Sequence, residues 1–276
     1  MNKEGPLALQ NHSVTIVKLG GSIITHKDRY FSINSNNILE SSRQLSRYLV
    51  EKEVWEKIVI IHGGGSFSHL VASSYTSDSS GFSSEEFGSV LVGIAARELD
   101  SKVLKMFLDY GIRVFPLQPS SFIVRKNDET VLESWELLRG ILEDDWVPVL
   151  YGDTIFNVTS RKWEVLSGEG IIGTLCSRLP VGRILIATNT NGVLRTLQDQ
   201  NSQIPTIKAG KVEEIRQFLG GSKDTDVTGG MYSKVVAMAN EVIKHGVKVT
   251  IFDGTKEMNL YNALKGDDTL GTRIER

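Results

Sequence analysis

Short apolar runs rich in β-branched residues alternate along this chain with longer stretches of helical periodicity. Val14–Leu19 reads as a strand, Ile38–Glu51 as a helix and Ile58–Ile61 as a buried strand. One long helix lies within Ser84–Tyr110, followed by a short strand at Arg113–Leu117 and a helix at Leu132–Asp144. Val147–Leu150 is a strand ending in Tyr151-Gly152-Asp153; Glu169–Arg178 then reads as a helix and Arg183–Ala187 as a strand. Helices at Lys211–Leu219 and Gly230–His245 and a strand at Val247–Phe252 follow. The strands are apolar without interruption, so both of their faces must be covered. Repeated βα alternation of that kind predicts an α/β fold, a mainly parallel sheet between layers of helices. No internal repeat or low-complexity tract stands out. Thr76–Glu85 is polar and loop-like, either a lid or a solvated connection. Leu179-Pro180-Val181-Gly182 marks a boundary between two lobes, residues 1–180 and 181–276.

A chain of 276 residues with 40% hydrophobic and 23% charged residues can bury a full core. Its net charge of −2 gives no electrostatic case for a nucleic-acid or membrane partner, so any anion site must rest on local charge. The single cysteine, Cys176, lies in an apolar run and reads as a small core residue; it excludes an internal disulfide and a multi-cysteine zinc site. No stretch approaches ~18 unbroken apolar residues and no apolar leader is visible, so a cytoplasmic protein is expected.

Glycine turns carry the candidate chemistry. Val17-Lys18-Leu19-Gly20-Gly21-Ser22 and His62-Gly63-Gly64-Gly65-Ser66-Phe67-Ser68-His69 each follow an apolar strand. Glycine allows a backbone to bring its N–H groups close to a ligand, and a following helix N-terminus adds positive potential. A third turn, Asp226-Val227-Thr228-Gly229-Gly230, opens the helix that carries Lys234 about one turn in. Lysines and exposed amides from both halves suit two phosphorylated groups held face to face, which is what phosphoryl transfer needs. There is no G-x-x-x-x-G-K-[ST], no G-x-G-x-x-G with a following ribose-binding acid, and no H-R-D or D-F-G. P-loop enzymes, Rossmann dehydrogenases and protein kinases are thereby set aside.

In order, Lys18–Ser22 with Ile24-Thr25-His26-Lys27, His62–His69, Val147-Pro148-Val149 with Gly152-Asp153, Ser167-Gly168-Glu169, Asp226–Lys234 and Leu270–Ile274 resemble the amino acid kinase superfamily. Within it the chain looks most like the isopentenyl phosphate kinases, and fosfomycin kinase has a similar second turn. The resemblance implies a three-layer αβα sandwich with an N-terminal acceptor lobe and a C-terminal nucleotide lobe. It also implies ATP and Mg²⁺ as co-substrates and a homodimer. Lys18 would bridge donor and acceptor phosphates, Lys234 would draw off charge on the leaving side, and Lys27 would lie near the donor phosphates. Gly20, Gly21, Gly64 and Gly65 would offer amides to the acceptor, with Ser66 and Gly168 beside them. Thr188, Asn189, Gly192, Asp226, Gly229 and Gly230 would line the nucleotide. His69 matches the histidine that binds an acceptor phosphate, which selects a phosphate or phosphonate acceptor over a carboxylate. His62 reads as structural.

Three departures from the family pattern matter. Glu169 stands where an aspartate usually orients the two lysines, and its extra methylene must rearrange that network. Thr188-Asn189-Thr190-Asn191-Gly192 replaces Thr-Asp-Val-Asp-Gly, so the turn can survive while two negative charges are lost. Ser68 replaces a glycine. The expected activity is ATP-dependent phosphorylation of isopentenyl phosphate; a phosphonate kinase or a regulatory paralogue without catalysis are the alternatives. Phe82, Phe87, Val90, Leu91 and Ile94 either line an apolar tail site or form ordinary core or a dimer face.

Overall fold

Val14–Leu19 is buried along its whole length and forms β1, the strand around which the sheet is built. The computed structural model describes residues 13–26, 28–52, 56–68, 71, 84–196, 198–219 and 230–276. After β1 come α1 (Gly21–Ile24), α2 (Ser35–Glu51), β2 (Lys57–His62), α3 (Ser84–Asp109) and β3 (Val114–Pro116). Next are β4 (Ile123–Lys126), β5 (Glu129–Leu132), α4 (Trp135–Glu143), β6 (Val147–Tyr151), β7 (Asp153–Asn157), β8 (Lys162–Leu166) and α5 (Gly168–Cys176). The chain continues through β9 (Val181–Thr188), β10 (Thr206–Lys208), α6 (Arg216–Leu219), α7 (Gly230–His245), β11 (Lys248–Asp253), α8 (Asn259–Lys265) and β12 (Thr272–Glu275).

Eight strands form one sheet in the order β10-β12-β11-β9-β1-β2-β6-β3, parallel except where β11 meets β12. Alternation along β1 divides the core between the two faces. Val17 and Leu19 pack with α2, α3 and α8, whereas Val14 and Ile16 pack with α5 and α7. This is the expected three-layer α/β sandwich. Lys18 has the parity of Val14 and Ile16, so it points toward α5 and α7. After β1 the chain builds outward through β2 toward β3; β9 then returns to the other side of β1. That reversal leaves a crevice beyond the carboxyl ends of β1 and β9, where open α/β sheets bind ligands.

The apolar strands and long helices fall where the periodicity placed them. The expected helix at Leu132–Asp144 is shorter, because Leu132 ends β5 and α4 begins only after Ser134. Lys211–Leu219 is a 3₁₀ segment, Ala209–Ile215, running into α6. A second, four-stranded sheet, β5-β4-β7-β8, is new. The Thr76–Glu85 stretch lies almost wholly outside the described residues. Cys176 is buried, as expected of a core residue, and burial pushes its thiol up to about 12. No helix among the described residues is long and apolar enough to cross a membrane.

The halves before and after β9 are joined by a polar clamp at the amino ends of the central strands. Arg183 donates to Glu56 at 2.6 Å and to Thr15 at 3.2 Å, and caps the α8 carbonyls of Ala263 and Leu264. Tyr48 and Thr15 donate to the same Glu56 carboxylate. Burial alone would raise the Glu56 carboxyl, but the hydroxyl and guanidinium donors outweigh it and hold it below the usual range. Glu56→Ala, which strands a largely buried guanidinium, should cost about 3–5 kcal/mol in denaturant unfolding. Because its folded pKa is depressed, the carboxylate contributes full stability above its unfolded value of about 4.3. That contribution is lost as pH falls through the lower folded value, so wild type and Glu56→Ala should converge in acid. A mutant within ~1 kcal/mol of wild type at neutral pH would show that the clamp does not hold the halves together.

Candidate active site

Leu19 and His62 lie side by side at the ends of parallel neighbours, so the two glycine turns leave the sheet at one level. The Gly63 N–H donates to the Leu19 carbonyl at 3.0 Å. A Cβ on Gly21 would lie 2.6 Å from the Gly65 nitrogen, and one on Gly63 would lie 2.7 Å from the Gly21 nitrogen. Contact at that distance is open only to residues without side chains. Thr25 locks the pair: its hydroxyl donates to the Gly21 carbonyl at 2.8 Å and accepts the Ser66 N–H at 3.0 Å. Nothing in the periodicity marked Thr25 for that task.

Two expectations for these turns change. The Gly20 N–H is taken by the Ala187 carbonyl at 3.0 Å, so Gly20 fastens β1 to β9 and offers no amide to a ligand. Ser66 spends its N–H on Thr25 and directs its hydroxyl to the Ser32 carbonyl. Gly21, Gly64 and Gly65 remain at the junction. His62 is fully buried, with Nε2 3.1 Å from Asp100 and Nδ1 3.1 Å from the Gly63 carbonyl. Its ring stacks on Tyr151, so it is the structural residue expected.

Lys18 is the charged residue beneath this junction, and only 4% of it is exposed. Its ammonium forms an ion pair with Glu169 in the first turn of α5, a helix capped by Ser167 through the Gly170 N–H. Gly168 makes room, since a Cβ there would lie 2.9 Å from Lys18 Cε and 3.3 Å from Ile61 Cγ2. Burial lowers the Lys18 ammonium from its ordinary value; Glu169 opposes that fall and the charge of Lys234, on α7, adds to it. Burial pushes the Glu169 carboxyl up, yet Lys18 and Lys234 together hold it below the usual carboxylate range. Thus Glu169, despite its extra methylene, pairs with Lys18 and lies within the field of Lys234. Among the described residues Lys18 and Lys234 against Glu169 leave net positive charge, and at the buried Lys18 it acts strongly on an anion.

On the other side of the crevice β9 ends at Thr188, whose hydroxyl donates to the Phe252 carbonyl at 3.1 Å and accepts the Thr190 N–H. Gly192 has φ of +118° and touches Thr272, which fixes the turn after it. The Asn191 side chain accepts from Lys256 at 2.5 Å, while Asn189 is exposed. The turn therefore closes with amides in place of carboxylates. Gly230 opens α7 with φ of +61°. Lys27, His69, Asp226 and Gly229 lie outside the described residues. Phe87, Val90 and Ile94 are exposed on α3, which excludes the ordinary-core reading for them; Phe82 is not described.

A buried lysine and a half-buried one flank one carboxylate beneath two interlocked glycine turns at a switch point, an arrangement suited to phosphoryl transfer. The chain belongs to the amino acid kinase family, whose model matches residues 13–253. It is 32% identical to the isopentenyl phosphate kinase of Methanocaldococcus jannaschii, over 95% of this chain and 98% of that protein. It is 30% identical to the isopentenyl phosphate kinase of Methanothermobacter thermautotrophicus, over 94% of this chain and 98% of the relative. A solved isopentenyl phosphate kinase structure superposes with a TM-score of 0.75 at 26% identity, covering 95% of this chain and 99% of the other.

Gly168→Ala tests the seat of Lys18. The new methyl group must displace the lysine head by some tenths of an ångström. A misplaced catalytic group costs up to about 10²-fold in rate, so kcat should fall by one to two orders of magnitude with Tm nearly unchanged. Wild-type kcat in this variant would show that the Lys18 position is not demanding.

Proposed function

We propose that this chain transfers the γ-phosphoryl group of ATP to isopentenyl phosphate, giving isopentenyl diphosphate and ADP. The observation that carries the reading is the buried Lys18, paired with Glu169 and close to the charge of Lys234 beneath the junction of the glycine turns, in a chain similar to isopentenyl phosphate kinases over nearly its full length. Residues 1–180 supply the acceptor side and residues 181–276 the nucleotide side. An acceptor phosphate oxygen attacks the γ-phosphorus in line, and the bond to the β–γ bridging oxygen breaks. The acceptor oxygen is already largely ionised near neutral pH, so no general base is needed and catalysis is alignment plus charge neutralisation.

In this scheme Lys18 lies between the two phosphates and Lys234 meets the charge that grows on the leaving ADP. Glu169 keeps both lysines in place and charged. Gly21, Gly64, Gly65 and Gly168 bound the acceptor, His69 holds its phosphate, and Lys27, Thr188, Asn189, Gly192, Asp226, Gly229 and Gly230 bound the nucleotide. Among the described residues no three His, Cys, Asp or Glu side chains gather into a metal cage. Mg²⁺ therefore fits as part of the incoming nucleotide, held by its phosphates. The exposed Phe87, Val90 and Ile94 suit a homodimer face or the isopentenyl tail. Use of ATP is compatible with a cytoplasmic location.

A coupled ADP-release assay with isopentenyl phosphate, dimethylallyl phosphate and fosfomycin is the direct test. Turnover of an isoprenoid monophosphate with kcat/KM far above that for fosfomycin is expected. Silence on all three with ATP still bound would replace the proposal by a regulatory role. In the same assay His69→Ala should raise acceptor KM by about tenfold or more, the worth of one charge-assisted hydrogen bond, and leave nucleotide affinity nearly unchanged. Unaltered acceptor kinetics would remove His69 from the site.

The pH profile tests Glu169. Lys18 is lowered by burial, so kcat should fall on the alkaline side below the ordinary lysine value of 10.5. Glu169→Gln removes the charge that opposes that fall, and the alkaline limb should move to still lower pH. A limb that stays in place would dissociate it from Lys18.

A further inference from the structure

The sheet has a second end. At the amino ends of β2, β3 and β6, the C-terminus of α2 and the turn between α3 and β3 enclose a hollow of about 310 Å³. It lies about 13–17 Å from the glycine turns, measured along β2 at ~3.3 Å per residue. Leu49, Ile112 and Trp146 give it apolar walls, and it falls in the lower range of small-ligand cavities of ~300–1,000 Å³.

Its charges do not cancel. Three cations, Lys52, Lys57 and Arg113, and two carboxylates, Glu56 and Asp145, line it. Asp145 is taken by Lys57 at 2.6 Å, and Glu56 is taken by Arg183 at 2.6 Å from behind the wall. Among the described residues Lys52 donates to the Glu56 backbone carbonyl at 2.8 Å, and Arg113 stands over the Trp146 ring at 4.8 Å. Among the described residues neither has a carboxylate within 4.0 Å. Burial also holds the Lys52 ammonium below its ordinary value, so part of its hydration is already gone.

We propose that this hollow is a second binding site, for a small organic anion with an apolar body and one anionic head group. The body packs on Trp146, Leu49 and Ile112; the phosphate, sulfonate or carboxylate head meets the Lys52 ammonium and the Arg113 guanidinium. Arg113, already held over the indole, carries further donors in a fork suited to such a head. The site is separate from the catalytic crevice, but it shares β2 with the second glycine turn and shares Glu56 with the clamp. Occupancy therefore stabilises the fold by mass action.

Naphthalene-1-sulfonate is the probe, titrated into the full chain by calorimetry. One saturable site is expected, weaker by roughly tenfold or more in Lys52→Gln/Arg113→Gln and unchanged in Lys18→Met. Val50→Glu adds a negative charge to the rim of the hollow, at a position 83% exposed, and should weaken binding. It serves as the independent variant if the double substitution fails to fold. No saturation up to roughly 10 mM, equal affinity in the charge variants, or loss of binding in Lys18→Met would each overturn the proposal.

Discussion

A lysine ammonium buried on the central strand of a sheet loses its water, and it stays charged only if a carboxylate is held against it. Lys18 is in that position, and much of the surrounding fold follows from the requirement. Parity along β1 turns it to the face covered by α5 and α7, the helices that bring Glu169 and Lys234. Gly168 is small because the lysine stem lies against it, and Ser167 caps α5 so that Glu169 falls in the first turn. Removing the Glu169 carboxylate would leave the buried Lys18 ammonium with the charge of Lys234 and, among the described residues, no carboxylate to oppose it.

The glycine junction solves a different problem. Two strands 4.7–4.9 Å apart cannot both turn toward the same ligand unless one backbone passes against the other. Gly21, Gly63 and Gly65 permit that passage, and Thr25 fixes it with two hydrogen bonds. At the opposite end of the strands Arg183 and Glu56 tie β9 to β1, β2, α2 and α8. The walls of the crevice are thus tied to one another at its foot, an arrangement that favours fixed alignment of whatever lies between them.

What could be read in the sequence was what burial writes continuously. Val14–Leu19, Lys57–His62 and Val147–Tyr151 are buried at every position, and such runs read plainly as parallel strands. The small sheet was not legible because its strands are only four or five residues long and β8 is mostly uncovered. Asn127 and Asp128, with φ of +48° and +64°, form the two-residue turn between β4 and β5. That Asn-Asp pair was the available signal for the hairpin. In the site, residue types announced Lys18 and the glycines, but not that the Gly20 amide would be consumed by Ala187. That depends on β9, which arrives more than 160 residues later.

The departures from the family pattern can now be weighed physically. Glu169 retains its ion pair with Lys18, so the longer side chain has been absorbed by the packing rather than expelled from the row. At the end of β9 the amide of Asn191 accepts from Lys256 and the hydroxyls of Thr188 and Thr190 close the turn, so its shape does not depend on carboxylates. What has gone is two negative charges. Beside a lysine that charge loss would weaken a pair; beside an incoming triphosphate it removes repulsion. The substitutions make the end of β9 less negative by two charges, and the hydroxyls and Lys256 keep the turn closed without them.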